Sequence, residues 1–172
     1  ISATTREPRP GEVDGREYFF LKKEEFERKI AESGLIEYAC YCDNYYGTPR
    51  EYVENQLADG RDVILEIEIQ GAHKVKEQYP DALTLFVMTP GAEELRYRLE
   101  SRGTESAEVI EKRMQRAAQE ALGIEKYEYI VVNDNLEKCV DEVHRIIIAA
   151  HNASHRNMEF IDNIRRELEG EK

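Results

Sequence analysis

Basic residues are in short supply: 24 Lys and Arg stand against 36 Asp and Glu, a formal net charge of -12 over 172 residues. A polynucleotide partner needs a basic face or stripe, so this balance excludes nucleic acid. It leaves room for a small phosphorylated ligand, because a few clustered arginines make a local positive site on an acidic protein. Cysteine is scarce as well. The three cysteines, Cys40, Cys42 and Cys139, are too few and too oddly numbered for a disulfide framework, and Cys40 and Cys42 lack a second Cys/His pair at zinc spacing. They read as buried or half-buried thiols in a reducing compartment. No apolar run approaches the roughly 18 to 20 residues that span a bilayer, and no charged-then-apolar signal segment occurs. The expectation is a cytoplasmic protein with no membrane role. His73, His144, His151 and His155 are scattered and receive no chemistry.

With 41% hydrophobic residues, the chain suits a single domain with a sizeable core. Its richest stretch is the first, Ser2 to Tyr18. Arg6 and Arg9 sit three positions apart among Ser2, Thr4 and Thr5, stiffened by Pro8 and Pro10 and followed by the turn residues Gly11 and Gly15. Guanidinium groups match phosphate oxygens in bidentate fashion, and hydroxyls, with the Tyr18 phenol, add single donors. This is an anion site in outline, or an ordinary polar loop. Tyr45-Tyr46-Gly47-Thr48-Pro49 offers a second: hydroxyls precede a helix through Glu51 to Leu57 with Pro49 in its first turn, a natural anion position. The alternative is a capping threonine beside packed tyrosines.

Apolar periodicity sets out the remaining elements. Phe26 and Ile30 mark an amphipathic helix over 22–32, closed by Ser33-Gly34. Residues 35–42 read as a strand carrying a lone acid, Glu37. Residues 62–71 are apolar enough for a central strand covered on both faces. Glu66 and Glu68 interrupt it, marking either a ligand or Mg2+ site or a partly solvated face. A helix over 70–78, a buried strand over 82–88, a helix from Thr89-Pro90 to Gly103, a buried strand over 129–134 and a closing helix over 136–150 follow. Such alternation predicts an α/β protein with a parallel sheet. Arg96, Arg98, Arg102, Lys112, Arg113 and Arg116 straddle Gly103-Thr104. They read as a movable lid that brings cations to phosphates, or as helix faces paired with Glu100, Glu105, Glu108 and Glu111. Residues 151–172 read as a charged helical tail.

Several spaced stretches resemble one family, guanylate kinase of the bacterial type. They are Ser2-Ala3-Thr4-Thr5-Arg6, Pro8-Arg9, Gly11-Glu12-Val13-Asp14-Gly15, Tyr18-Phe19-Phe20, Glu37 and Asn44-Tyr45-Tyr46-Gly47-Thr48, then Leu65-Glu66-Ile67-Glu68-Ile69-Gln70-Gly71, Arg98-Leu99, Arg102-Gly103-Thr104-Glu105 and Val132-Asn133-Asp134. They run over 1–150. The resemblance implies a P-loop-kinase-like α/β fold: a parallel sheet core flanked by helices, a small mixed-sheet GMP-binding region over about 3–62 and a helical lid over about 94–120. It implies GMP and ATP as partners, Mg2+ as cofactor and a monomer or homodimer. Arg6, Arg9, Tyr18 and Tyr46 would hold the GMP phosphate. Ser2, Glu37, Thr48 and Glu68 would read guanine, since a carboxylate can accept from N1 and N2 together, hydroxyls can bond O6 and N7, and adenine would leave these groups unpaired. Arg98, Arg102 and Arg113 would be the catalytic lid cations, Asn133 would contact the adenine side of ATP, and Glu66 would lie near Mg2+ or its waters.

One departure from the family pattern is large. The family's phosphate loop, G-x-x-x-x-G-K-[ST], lies upstream of the Ser2 motif, and no such segment is in this sequence. Its backbone N–H groups and lysine cradle the β- and γ-phosphates. The expectation is that roughly 30 residues precede Ile1 in the natural protein, a kinase transferring phosphoryl directly from ATP to GMP, and that the present chain alone is inactive. The alternative is a non-catalytic guanylate-kinase-like binding domain, as in membrane scaffold proteins.

Overall fold

The computed structural model describes residues 1–41, 43–103 and 106–170. Cys42 and the Thr104-Glu105 pair of the resemblance therefore lie outside the described residues. The chain divides into two compact units, Ile1–Ala82 and Leu83–Lys172, and each has its own architecture.

In the first unit, β1 (Ala3–Thr4), β2 (Phe19–Phe20), β3 (Leu35–Tyr41) and β4 (Asn44–Pro49) form one mixed sheet in the order β2-β1-β4-β3. β1 runs parallel to β2 and antiparallel to β4, and β3 with β4 makes a hairpin. Asp43 takes a left-handed φ of 61° at its turn, a conformation that a short polar side chain tolerates. Helix α1 (Lys23–Ala31) buries Phe26 completely, against Ala3 and Leu35. Such a side chain contributes roughly 1.5 to 3 kcal/mol by leaving water. Helices α2 (Arg50–Ala58) and α3 (Ile69–Gln78) supply Val53 and Val75 to a second cluster around Ile36. Consecutive residues of β3 thus serve two clusters, so this end of the strand is covered on both faces.

Two elements differ from the sequence reading. Residues 45–49, expected to lead into a helix with Pro49 in its first turn, belong to strand β4, and Pro49 is the N-cap of α2. Three hydroxyl-bearing positions around one glycine hide the alternation a strand reader needs. Residues 62–71 were expected as a central strand, but 69–71 open α3 and 62–68 pair with no strand among the described residues. Apolar composition cannot reveal whether a ladder partner exists, and without one extended backbone is not a strand. Nor are both faces covered. Val63, Leu65 and Ile67 pack on the Ile36 cluster, whereas Ile64 is 77% exposed and Glu66 lies on the exposed side with it.

In the second unit, β5 (Leu85–Met88) and β6 (Tyr129–Val132) pair in parallel from Leu85 with Tyr129 to Met88 with Val132. Glu128 locks the entry: its carboxylate accepts from the Thr84 backbone N–H at 2.9 Å and from the Thr84 hydroxyl at 3.1 Å. Both strands were expected to be buried. Val131 is, but Val87, Ile130 and Val132 are exposed; residues 130 and 132 share the face of β6 opposite that of 131, so the ribbon is not covered on both faces. Helix α4 (Ala92–Ser101) ends at Gly103, whose φ of 63° is the usual left-handed stop. Helix α5 (Ala107–Ala121) is capped by Ser106, and α6 (Leu136–His151) by Asn135. Helix α7 (Met158–Glu169) occupies the expected helical tail. Of the thiols expected to be buried or half-buried, Cys139 is buried but Cys40 is exposed, since β3 leaves the core after Glu37. Among the described residues no helix is long and apolar enough to cross a membrane.

Candidate functional site

The arginines of the first stretch are placed by β1 and the loop after it. The Thr4 hydroxyl donates to the Tyr45 carbonyl and accepts from the Arg6 backbone N–H, while the Thr5 hydroxyl accepts from Tyr45 N–H. The small hydroxyl residues before Arg6 thus fasten its backbone to β4. The loop over 7–17 is folded by its own acids. Glu12, Asp14 and Glu17 accept from the backbone N–H groups of Arg9, Phe20 and Val13 at 2.7, 2.8 and 2.8 Å. The Arg6 guanidinium lies 5.5 Å from the Tyr18 ring centroid and 5.7 Å from that of Phe20, a favourable placement over ring faces. Tyr46 comes within 6.3 Å of Tyr18, ring to ring. Arg6, Tyr18 and Tyr46 therefore form one cluster, and Arg9 joins it through its backbone while its side chain stays exposed.

The second centre is a buried carboxylate. Glu37, in β3, is 6% exposed and accepts a 2.5 Å hydrogen bond from Thr48, in β4, itself 1% exposed. The register is irregular between Leu35 and Tyr38. This lets Glu37 follow Ile36 toward α3, where a Cβ on Gly71 would stand 3.0 Å from Glu37 Oε2. Gly71 is thus a floor under the carboxylate. Burial pushes the Glu37 carboxyl above the usual carboxylate range; the Thr48 hydroxyl and the Lys74 ammonium oppose this, and Glu68 adds to it. Glu68, the N-cap residue of α3, is electrostatically part of this centre. Ser2 is half-buried, its carbonyl accepting from Phe19 N–H at 2.9 Å.

In the second unit, α4 and α5 carry the cations. Arg96 bridges the two helices to Glu111 at 2.5 Å, and Arg98 is held by Glu94 at 2.6 Å with a longer 3.5 Å bond to the Asp134 carbonyl. Lys112 and Arg116 pair along α5 with Glu108 and Glu120. Pairing with helix-face acids is thus what these cations do without a ligand. Arg102 and Arg113 are exposed, and Asn133, just past β6, donates its backbone N–H to Met88 O at 2.7 Å. Among the described residues no cluster of three or more His, Cys, Asp or Glu could hold a metal ion.

Three contributors escaped the sequence reading: Glu12, Lys74 and Gly71. Glu12 stood in a recognised motif, but an acid between two arginines looks like a solvated loop residue. Lys74 lies four residues beyond Gln70 on α3, and only the helix turn brings its charge to Glu37.

A cluster of arginine and tyrosine side chains, a buried hydrogen-bonding carboxylate and a pair of arginine-bearing helices on an α/β frame suit a nucleotide-binding kinase. Comparison with known proteins narrows the class. The family model described as guanylate kinase matches residues 1–150. The guanylate kinase of Latilactobacillus sakei is 52% identical over 151 residues, 88% of this chain and 74% of that protein. That of Caldanaerobacter subterraneus is 49% identical over 167 residues, 97% of this chain and 81% of that protein. The crystal structure of guanylate kinase from Anaplasma phagocytophilum aligns with a TM-score of 0.75 at 34% identity, covering 91% of this chain and 77% of that one. The chain belongs to the guanylate kinase family, and its function is that family's.

Proposed function

We propose that the chain binds GMP in its first unit and acts as the acceptor half of a direct phosphoryl transfer from ATP, giving ADP and GDP. The observation that carries this is the placing of Tyr46 and Thr48 two residues apart on β4. Alternate residues of a strand share a face about 7 Å apart. One strand therefore points its tyrosine at the clamp and its threonine at the buried carboxylate. A ligand that satisfies both has an anion at one end and N–H donors at the other, as a guanine nucleotide does.

Ligand exchange at Glu37 follows from donor counting. The Thr48 hydroxyl has one proton, and it is given to Glu37. Guanine N1–H and N2–H would take over the carboxylate, and the freed hydroxyl could turn to O6 or N7. Adenine supplies no such pair, so the buried acid would be left unsatisfied. At the other end Arg6, Arg9, Tyr18 and Tyr46 hold the phosphate, with Ser2 and Glu68 completing the base pocket.

For the transfer, Arg98, Arg102 and Arg113 would spread charge off the moving phosphoryl group, and Asn133 would meet the adenine side. No covalent intermediate is needed, since phosphoryl transfer depends on position and charge. Mg2+ usually keeps several waters and takes one or two carboxylates besides substrate phosphates, which suits the single exposed carboxylate of Glu66. Bound there, it would neutralise phosphate charge. A cytoplasmic setting accords with the free, exposed Cys40 thiol. The non-catalytic scaffold reading is not favoured, because the close relatives bear an enzyme's name.

Calorimetric titration of this chain with GMP, AMP and guanosine tests the reading. Selective GMP binding is expected; a folded chain that binds GMP no better than AMP would overturn it.

A further inference from the structure

Glu12 follows Arg6 and Arg9 in the chain, and the fold brings its carboxylate between them, a position no anion site obviously wants. Its carboxylate nevertheless touches both arginines. Oε1 accepts from Arg6 Nη2 at 3.0 Å, and Oε2 lies 3.0 Å from the same nitrogen while accepting from Arg9 N–H at 2.7 Å. The Glu12 N–H in turn donates to Arg9 O at 3.0 Å, closing the turn. The side chains of Arg6 and Glu12 are each only 17% exposed. Arg6 Nη1 is occupied by the Glu7 carbonyl at 2.7 Å. One carboxylate thus joins a guanidinium to the backbone of the next arginine.

We propose that Glu12 is a positioning residue of the phosphate clamp: it locks the Arg6 guanidinium to the Arg9 turn so that both arginines are presented to GMP as one preorganised unit. The inference rests on the reading of Arg6 and Arg9 as phosphate ligands. Two effects compete at this position. A negative charge beside a phosphate repels it, whereas two long arginine side chains held in place lose less freedom on binding. The geometry favours the second, because the carboxylate is already spent on three donor contacts and its charge is balanced by Arg6.

Charge and geometry separate by substitution. In Glu12→Gln, an amide oxygen at the Oε2 position still accepts from Arg9 N–H, but the charge is gone and the amide NH2 takes the Oε1 position, where it faces the Arg6 Nη2 donor. Glu12→Asp keeps the charge and is one methylene too short, and Glu12→Ala removes both. The measurement is the affinity of the full chain for GMP and for guanosine, which has the base and no phosphate. Positioning predicts that Ala and Asp weaken GMP roughly tenfold or more, leave guanosine unchanged, and that Gln, which keeps the Arg9 turn but not the Arg6 bond, also weakens GMP, though less than Ala. Tighter GMP binding by Ala and Gln alike would overturn the proposal in favour of simple repulsion. Unchanged GMP binding by Ala and Asp would overturn it outright, as would equal loss of GMP and guanosine, which marks a merely structural role. If the unsubstituted folded chain bound guanosine but gained nothing from the phosphate, the assignment of Arg6 and Arg9 would fail first, and the role of Glu12 with it.

Discussion

Thr48 Oγ1 and Glu37 Oε1 lie 2.5 Å apart across neighbouring strands, both side chains buried. A buried carboxylate with one internal donor keeps acceptor capacity for a ligand. Glu37→Gln preserves the Thr48 bond at the amide oxygen but turns an NH2 group on donors that need an acceptor. GMP affinity should fall at least tenfold while AMP affinity holds or rises. Unchanged selectivity in parallel titrations would remove Glu37 from the base pocket.

The same substitution has a pH signature. Burial raises the folded-state pKa of Glu37 above its ordinary 4.5, so the folded protein holds a proton there that the unfolded chain releases. Stability contributed by the protonated form is full below 4.5 and is lost as pH rises through the folded value. Gln does not titrate. The melting temperature of Glu37→Gln should therefore exceed that of the parent at pH 7 to 8, and the gap should close toward pH 4. A pH-independent gap would mean that the carboxylate is not strained by burial.

Arg6 and Arg9 should separate affinity from stability. Arg6 is packed over two rings and paired with Glu12, whereas Arg9 reaches into solvent. Each charge-assisted bond to phosphate is worth about 1.5 to 3 kcal/mol. Arg9→Ala should weaken GMP by about tenfold to a hundredfold, leave ATP unaffected and keep the melting temperature. Arg6→Ala should lower both GMP affinity and melting temperature. Equal weakening of GMP and ATP by Arg9→Ala would contradict the clamp.

Much of this was legible because it is local. The α1 helix around Phe26 and the stop at Gly103 follow from short-range pattern, and the arginine, tyrosine and acid positions from spaced motifs. What stayed hidden depends on partners distant in sequence. Whether 62–71 is a strand turns on a ladder that composition cannot show. The inward turn of Glu37 depends on an irregular register with β4, and its floor on a glycine 34 residues later. Glu12 was visible as a letter, but its role appears only when the loop closes and its carboxylate meets the Arg9 N–H.

Gly71 offers a test in which two effects oppose. Alanine is favoured over glycine in a helix by up to about 1 kcal/mol, and Gly71 lies in α3. Its added Cβ would stand 3.0 Å from Glu37 Oε2 and 3.5 Å from Ile67 Cδ1. The first contact is tighter than ordinary packing, and the carboxylate is the part able to give way. Displacing Glu37 by a few tenths of an ångström strains its bond to Thr48 and misplaces the acceptor for guanine. Gly71→Ala should therefore change the melting temperature little, because helix propensity offsets the contact, yet weaken GMP several-fold while leaving the guanosine-to-GMP ratio as in the parent. The clamp is untouched, so the loss belongs to the base and not to the phosphate. Full GMP affinity in Gly71→Ala would show that the carboxylate does not need this floor.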